Sequence, residues 1–158
     1  MAETNTIAAF YAFSAGASFL LGFLLFIGID KVNTQANRWL VAFYVILASN
    51  FIQLFLEQFG IAASFLIHLL ELPRWAMLPC LFIAVKHYVS PLLAPKDYLL
   101  HFVPFLIFML FSFVYLMPNL SNTQHHLPVL APWIRFLVQY FFYEQMAYYC
   151  LLCFFILV

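Results

Sequence analysis

Charge is almost absent from long stretches of this chain, and that absence constrains what it can fold into more than any other feature. Asp, Glu, Lys and Arg make up 8% of the residues and fall between apolar runs of helix length, while 67% of the residues are apolar. This pattern marks a polytopic membrane protein. In hydrocarbon every backbone N–H and C=O must be paired within the chain, which only helices or a closed barrel achieve. The runs lack the apolar/polar alternation of barrel strands, so they read as helices. The expected fold is therefore all-α: a polytopic transmembrane helix bundle of about five spans plus one short interfacial or re-entrant helix, in a single domain over 1–158.

The expected spans cover about 6–29, 39–59, 74–89, 98–117 and 133–158. In the first, Ala8, Ala12 and Gly16 recur four apart, as do Ser18 and Gly22. Small residues at that spacing let helix backbones approach closely, within the chain or in a homodimer through the first span. The segment 61–72 is too short to cross and is broken by His68, Glu71 and Pro73, so it is read as interfacial or re-entrant. Pro79 lies within the third span and Pro104 kinks the fourth. Trp39, Trp75 and Trp133 all fall at expected span starts, where tryptophan favours the membrane interface. Cys80, Cys150 and Cys153 sit in apolar tracts and read as small packing residues.

The first residues carry no Lys or Arg, so the first run is expected to be a retained span and not a cleaved signal. With the N-terminus outside, Lys31, Arg38, Lys86 and Lys96 fall on the cytoplasmic side, and Arg74 and Arg135 outside. That bias has the sign the positive-inside rule requires. An odd number of spans sends the C-terminus towards the cytoplasm. The chain stops inside its last apolar run, so the domain is expected to be incomplete at its C-terminal end.

Ionisable and polar groups within spans are the candidate functional residues. Glu144 lies mid-run, with Gln139, Tyr140, Tyr143, Gln145 and Tyr148 as its polar neighbours. A buried carboxyl there is expected to be protonated or to find a cation. Two readings stay open: a neutral Glu144 hydrogen-bonded to a tyrosine, or a ligand or proton site. Asn50, Gln53 and Glu57 recur at i, i+3 and i+7 and share one helix face, expected to point into the bundle. Glu57, His68, Glu71, Arg74, His125, His126 and Arg135 collect on the outer side in this topology. They form either a site for a small polar or anionic ligand or the ordinary polar rim of a membrane protein. The histidines fit bis-His haem poorly, and the adjacent His125 and His126 are a weak metal signal, so no cofactor and no metal is expected. No phosphate-binding glycine loop, zinc-protease or nucleophile-elbow motif is present, and no enzymatic activity is expected.

Three stretches together resemble a known family. Lys31 to Phe43, K-V-N-T-Q-A-N-R-W-L-V-A-F, is similar to a short loop and second-span start whose core reads A-N-x-x-L-A-x-F. Leu70-Glu71-Leu72-Pro73, followed by Leu78-Pro79-Cys80-Leu81, resembles an L-P…G-P-L-L-Y-x-Y third-span region. Lys96 to Phe105, K-D-Y-L-L-H-F-V-P-F, resembles a D-x-L-H-F-x-P-F tract at a fourth-span start. In order and separation they look like the N-terminal membrane region of bacterial AraC/XylS-type transcriptional regulators. Related membrane modules precede LytTR-type and histidine-kinase outputs. The resemblance covers about 30–116, with short apolar motifs, and departs from the pattern at Leu78-Pro79-Cys80, where Gly-Pro is expected.

The resemblance implies a sensory membrane region in the bacterial cytoplasmic membrane, responding to an unknown small ligand or to the bilayer. It implies a cytoplasmic helix-turn-helix output that these residues do not include, so this chain itself contacts no nucleic acid. On this reading Asn50, Gln53, Glu57, Arg74, Arg135, Tyr140 and Glu144 are the candidate ligand-binding or switch residues. The alternative is a small membrane transport or enzyme-accessory subunit that uses a buried Glu144 carboxylate.

Overall fold

The computed structural model describes residues 2–28, 33–59, 69–90, 96–110 and 130–158. All regular structure among them is helical. Helix α1 spans Ala2–Ile27, α2 Thr34–Gln58 and α3 Arg74–Val89. A short α4, Lys96–Leu99, passes through a 3-10 turn, Leu100–Phe102, into further α-helix over 103–110. The last helix, α5, spans Leu130–Leu157.

Three stretches are long and apolar enough to cross a membrane: Asn5–Ile27 in α1, all of α2, and Tyr140–Leu157 in α5. Of the other two expected spans, α3 has 16 residues, about 24 Å at helical rise, which falls short of a hydrocarbon core of about 30 Å. The expected fourth span is helical as far as Leu110, and its remainder, 111–117, lies outside the described residues. So does 61–68, most of the expected interfacial helix, of which 69–71 form one helical turn.

Helix α3 is the centre of the molecule. It packs on α2 on one side and α5 on the other, and α1 packs on α2. Trp75, Ala76, Leu78, Pro79, Cys80, Phe82, Ile83, Ala84 and His87 of α3 are all buried. Ile83 is fully inaccessible, in a cluster with Leu78, Phe82 and Tyr149 that Trp39, Phe102 and Ile156 close off. The ring contacts set directions. Tyr98 lies against His87, His101 against Phe82, and Phe108 against Trp75, so 96–110 runs antiparallel to α3. Phe142 meets Trp75 and Tyr149 meets Phe82, so α5 runs parallel to α3. Trp75 is thus a core side chain, held between 103–110 and α5, and not the interface anchor that its position in the sequence suggested.

The α1–α2 hairpin is closed by small residues. Ala8, Ala15, Ser18 and Gly22 form the buried face of α1, while Phe13, Phe19, Phe23 and Phe26 project outward. In a bilayer this is the economical arrangement, because phenylalanine is as well solvated by lipid as by protein and small residues bring backbones together. A Cβ on Gly22 would stand 3.3 Å from the Tyr44 Cβ. The expected stripe is therefore split: Ala8, Ser18 and Gly22 pack, while Ala12 and Gly16 face outward, with nothing within 4 Å of a Cβ on Gly16.

Asn33 joins the hairpin to α3. It adopts a left-handed backbone, φ 41°, which asparagine tolerates better than most residues. Its Oδ1 accepts from the Ala36 N–H at 3.3 Å and caps α2. Its Nδ2 donates to the His87 carbonyl at 2.8 Å, near the end of α3. One helical turn away, the Tyr88 hydroxyl donates to Oδ1 of the buried Asn37.

Gly22→Val is expected to destabilise the fold by about 1–3 kcal/mol through overpacking. Gly16→Ala is expected to be neutral or to stabilise by up to about 1 kcal/mol through helix propensity. Helicity followed through SDS titration in mixed micelles separates the two. In the same assay Asn33→Ala should cost about 1–2 kcal/mol, since it removes a cap and an interhelical bond together.

Candidate functional site

Pro79 creates the most consequential polar feature of the bundle. A proline has no N–H, so the Trp75 carbonyl, four residues earlier, loses its helical partner in the first turn of α3, where that helix packs against α5. Gln145 of α5 replaces that partner: its Nε2 donates to the Trp75 oxygen at 3.3 Å. Gln145 is buried, and its Oε1 has no hydrogen-bond partner among the described residues. On either side of this contact, the Arg74 guanidinium lies 4.0 Å from the centre of the Phe142 ring, and Trp75 meets Phe142 edge-on at 5.6 Å. The α3–α5 contact is therefore a cation–aromatic stack, a side chain-to-backbone bond and then the apolar cluster around Tyr149.

Between α2 and α3 lies a second polar strip. Asn50 Nδ2 makes a long contact to the Met77 sulfur at 3.8 Å, and its buried Oδ1 is unpartnered among the described residues. Gln53 is buried and donates from Nε2 to Glu57 Oε1 at 3.0 Å, which lets Glu57 stand exposed at the helix end. Of the expected face of Asn50, Gln53 and Glu57, the first two members point inward, and only Gln53 and Glu57 are bonded to each other.

A third polar group closes the opposite end of α3. Tyr149 donates from its hydroxyl to the His101 carbonyl at 3.2 Å, and His101 Nδ1 lies 3.1 Å from the same hydroxyl. In the contact with the ring nitrogen the direction of donation follows the imidazole tautomer. His87, close by against Tyr98, is buried with both ring nitrogens unpartnered among the described residues.

The structure corrects the sequence reading of Glu144. Phe142, Gln145 and Tyr149 turn towards α3, and two residues on from Phe142 the helix has rotated by about 200°. Glu144 is therefore exposed on the outward side of α5, and it hydrogen-bonds Tyr140, exposed one turn earlier. Tyr140 and Glu144 do sit together, as expected. They do not join the strip of Asn50, Gln53 and Glu57, because α3 lies between α2 and α5. Arg74 turns to Phe142 and does not reach across to Glu144's side of the helix. Arg135 is on α5, with a side chain outside the described set, and His68, His125 and His126 are also outside it. Among the described residues no three His, Cys, Asp or Glu side chains converge as a metal site.

Sequence reasoning missed the roles of Gln145, Asn33, Asn37 and His87. Gln145 had been noticed only as a neighbour of Glu144. The signal available was the presence of an intrahelical proline, which obliges some donor to serve the freed carbonyl. No known protein family, curated protein or solved structure matches this chain.

Gln145→Leu is expected to cost about 1–2 kcal/mol by leaving the Trp75 carbonyl unpaired. Pro79→Ala supplies an N–H for that carbonyl, so Gln145→Leu in this background should cost little. A double-mutant cycle read by SDS titration should show a coupling of about 1 kcal/mol. Strict additivity of the two substitutions is the outcome that rules out the proposed partnership.

Proposed function

We propose that this chain is the membrane-embedded sensory and signal-transducing region of a bacterial one-component transcriptional regulator, acting through a shift in how α5 packs on α3. The observation that carries the reading is the Gln145 bond to the Trp75 carbonyl. Most helix contacts in a bilayer are apolar and change gradually as helices move. This one is either made or broken, because its acceptor is a backbone group whose helical partner is missing. Breaking it leaves the α-helical ladders of both helices intact, so it can distinguish two packings of the bundle at modest cost. A small ligand or a change in the bilayer shifts the balance only by favouring one packing over the other.

In this reading five passes cross the cytoplasmic membrane, with 96–110 beginning the fourth. The alternating directions of α3, 96–110 and α5 support that count. The N-terminus lies outside, and the end of α5 faces the cytoplasm. Arg38 and Lys86 fall at one end of the bundle, tied by the Asn37–Tyr88 bond between their neighbours, while Arg74 is at the other. That distribution supports the assigned orientation. The short motifs that resemble the membrane region of AraC/XylS-type regulators supply the output: a cytoplasmic helix-turn-helix domain downstream of α5, which would do the DNA binding. The competing transport or accessory reading requires a carboxylate inside the bundle. It loses its central residue with Glu144 on the outward face.

The reading frame beyond Val158 is expected to encode a basic helix-turn-helix domain. A stop codon there overturns the regulator assignment. In the whole gene product, a reporter under the regulator's own promoter should change basal output at least threefold in Gln145→Leu, and Pro79→Ala should suppress the change. If Gln145→Leu, Glu57→Gln and Glu144→Gln all leave reporter output and its response unaltered, the helices named here do not carry the signal.

A further inference from the structure

The end of α3 around Lys86 gathers positive charge that no described carboxylate balances. Antiparallel packing sets His101 level with Phe82, and Tyr98 level with His87. Around α3, Lys86 lies between Phe82 and His87, so it faces the same segment, 96–102. Its ammonium is turned back over the Phe82 ring, 5.8 Å from the centre, and its charge acts on both imidazoles. Among the described side chains, the carboxylates of Glu57, Glu71 and Glu144 lie towards the other end of the bundle, where α3 begins. The sequence flanking the Lys86 end holds Lys31, Arg38, Lys86 and Lys96 against Asp30 and Asp97, so cations are in excess. Hydrogen-bonding capacity coincides with that charge. His87 is 3% exposed, and neither ring nitrogen has a partner among the described residues. A buried imidazole without partners is costly, so its nitrogens are available to a polar group brought in from outside. His101 uses Nδ1 towards Tyr149, and that contact leaves Nε2 unused.

We propose that Lys86, His87 and His101 form a binding site for a phosphate oxyanion. The charge selects an anion, and the ammonium and imidazole N–H groups are its donors. Lys86 and His101 are part-exposed and make the first contacts. His87 supplies the third donor once the Tyr98 ring beside it turns. Depth points to the source. Trp39 and Tyr98 stack at this level with ring centres 5.7 Å apart, as aromatic side chains gather at the headgroup region of a bilayer. Leu99 and Leu100, next to His101 in the chain, are exposed and offer an apolar surface to acyl chains. The headgroup of an anionic phospholipid in the adjoining leaflet fits both features, and free phosphate shares its chemistry. The proposal requires this end of the bundle to lie at a membrane surface and is independent of any signalling role.

Titration of the full chain in neutral detergent with phosphatidylglycerol, followed by native mass spectrometry, tests it. Phosphatidylglycerol should bind at least about tenfold more tightly than diacylglycerol with the same acyl chains. Lys86→Gln should weaken that binding about tenfold, and His87→Phe and His101→Phe each about threefold or more. Arg38, exposed at the same end, is the control for diffuse surface charge, and Arg38→Gln should weaken binding less than about twofold. Lys86→Arg keeps the charge and should retain most of the binding. A parallel titration with inorganic phosphate alone separates the sources. Lys86-dependent binding of phosphate makes free phosphate the ligand, binding of phosphatidylglycerol alone makes it the lipid, and either supports the site. Binding of neither above the level of diacylglycerol, or an equal loss in Arg38→Gln and Lys86→Gln, overturns it. Imidazole nitrogen NMR spectra of the unaltered chain give a second readout that no substitution can disturb. Imidazole signals that move as phosphatidylglycerol or phosphate is added support the site, and signals that stay in place with both overturn it.

Discussion

Hydrocarbon offers no hydrogen bonds, so a polar group inside this bundle is either served by another part of the chain or left at a cost. That constraint accounts for the Gln145 bond to a carbonyl that α3 leaves unserved, while other side-chain bonds tie helix ends together. Asn33 serves the end of α3 while capping α2, Tyr88 serves Asn37, Tyr149 and His101 serve each other, and Gln145 serves a backbone carbonyl. Two of these bonds tie the start of α2 to the end of α3, and the other two tie α5 to α3 and to 96–110, so together they fix how these helices stand relative to one another. Apolar packing alone leaves that arrangement loose, since lipid tails compete on equal terms with protein side chains.

The helices divide the work accordingly. Helix α3 is too short to cross a full-thickness bilayer unaided, but it is buried on nearly every side. It acts as the post on which α2, 96–110 and α5 are hung. Helices α1 and α2 form a hairpin whose closeness depends on Gly22, and α1 turns its phenylalanines outward. The proline of α3 sits where it does the least harm, because its freed carbonyl faces a neighbour that carries an amide.

Sequence alone revealed the elements but little of their rotation. The all-α class followed from long uncharged runs, and α3 begins and ends where Pro73 and the Ser90-Pro91 turn place it. The starts of α2 and α5 lie a few residues earlier than expected, because polar residues such as Thr34 and Gln35 continue a helix as readily as they end one. Rotation was not legible because the usual guide, an apolar face against a polar one, vanishes when lipid and core are equally apolar. Glu144 was therefore assigned inward on the strength of its charge, when Phe142 and Tyr149 decide the facing side by shape. The small residues of α1 were read correctly as packing residues, but the register that sends Ala12 and Gly16 outward depends on the position of Tyr44 in another helix.

The partnership between Pro79 and Gln145 has a consequence for how such a chain can change over generations. A lineage that replaces the proline regains a continuous helical ladder and has no further need of the amide. One that loses the amide first must carry an unpaired carbonyl until the proline goes. The order of substitution is thus biased, with loss at 79 preceding loss at 145. The two sites are expected to be inherited together despite lying on different helices, far apart in the chain.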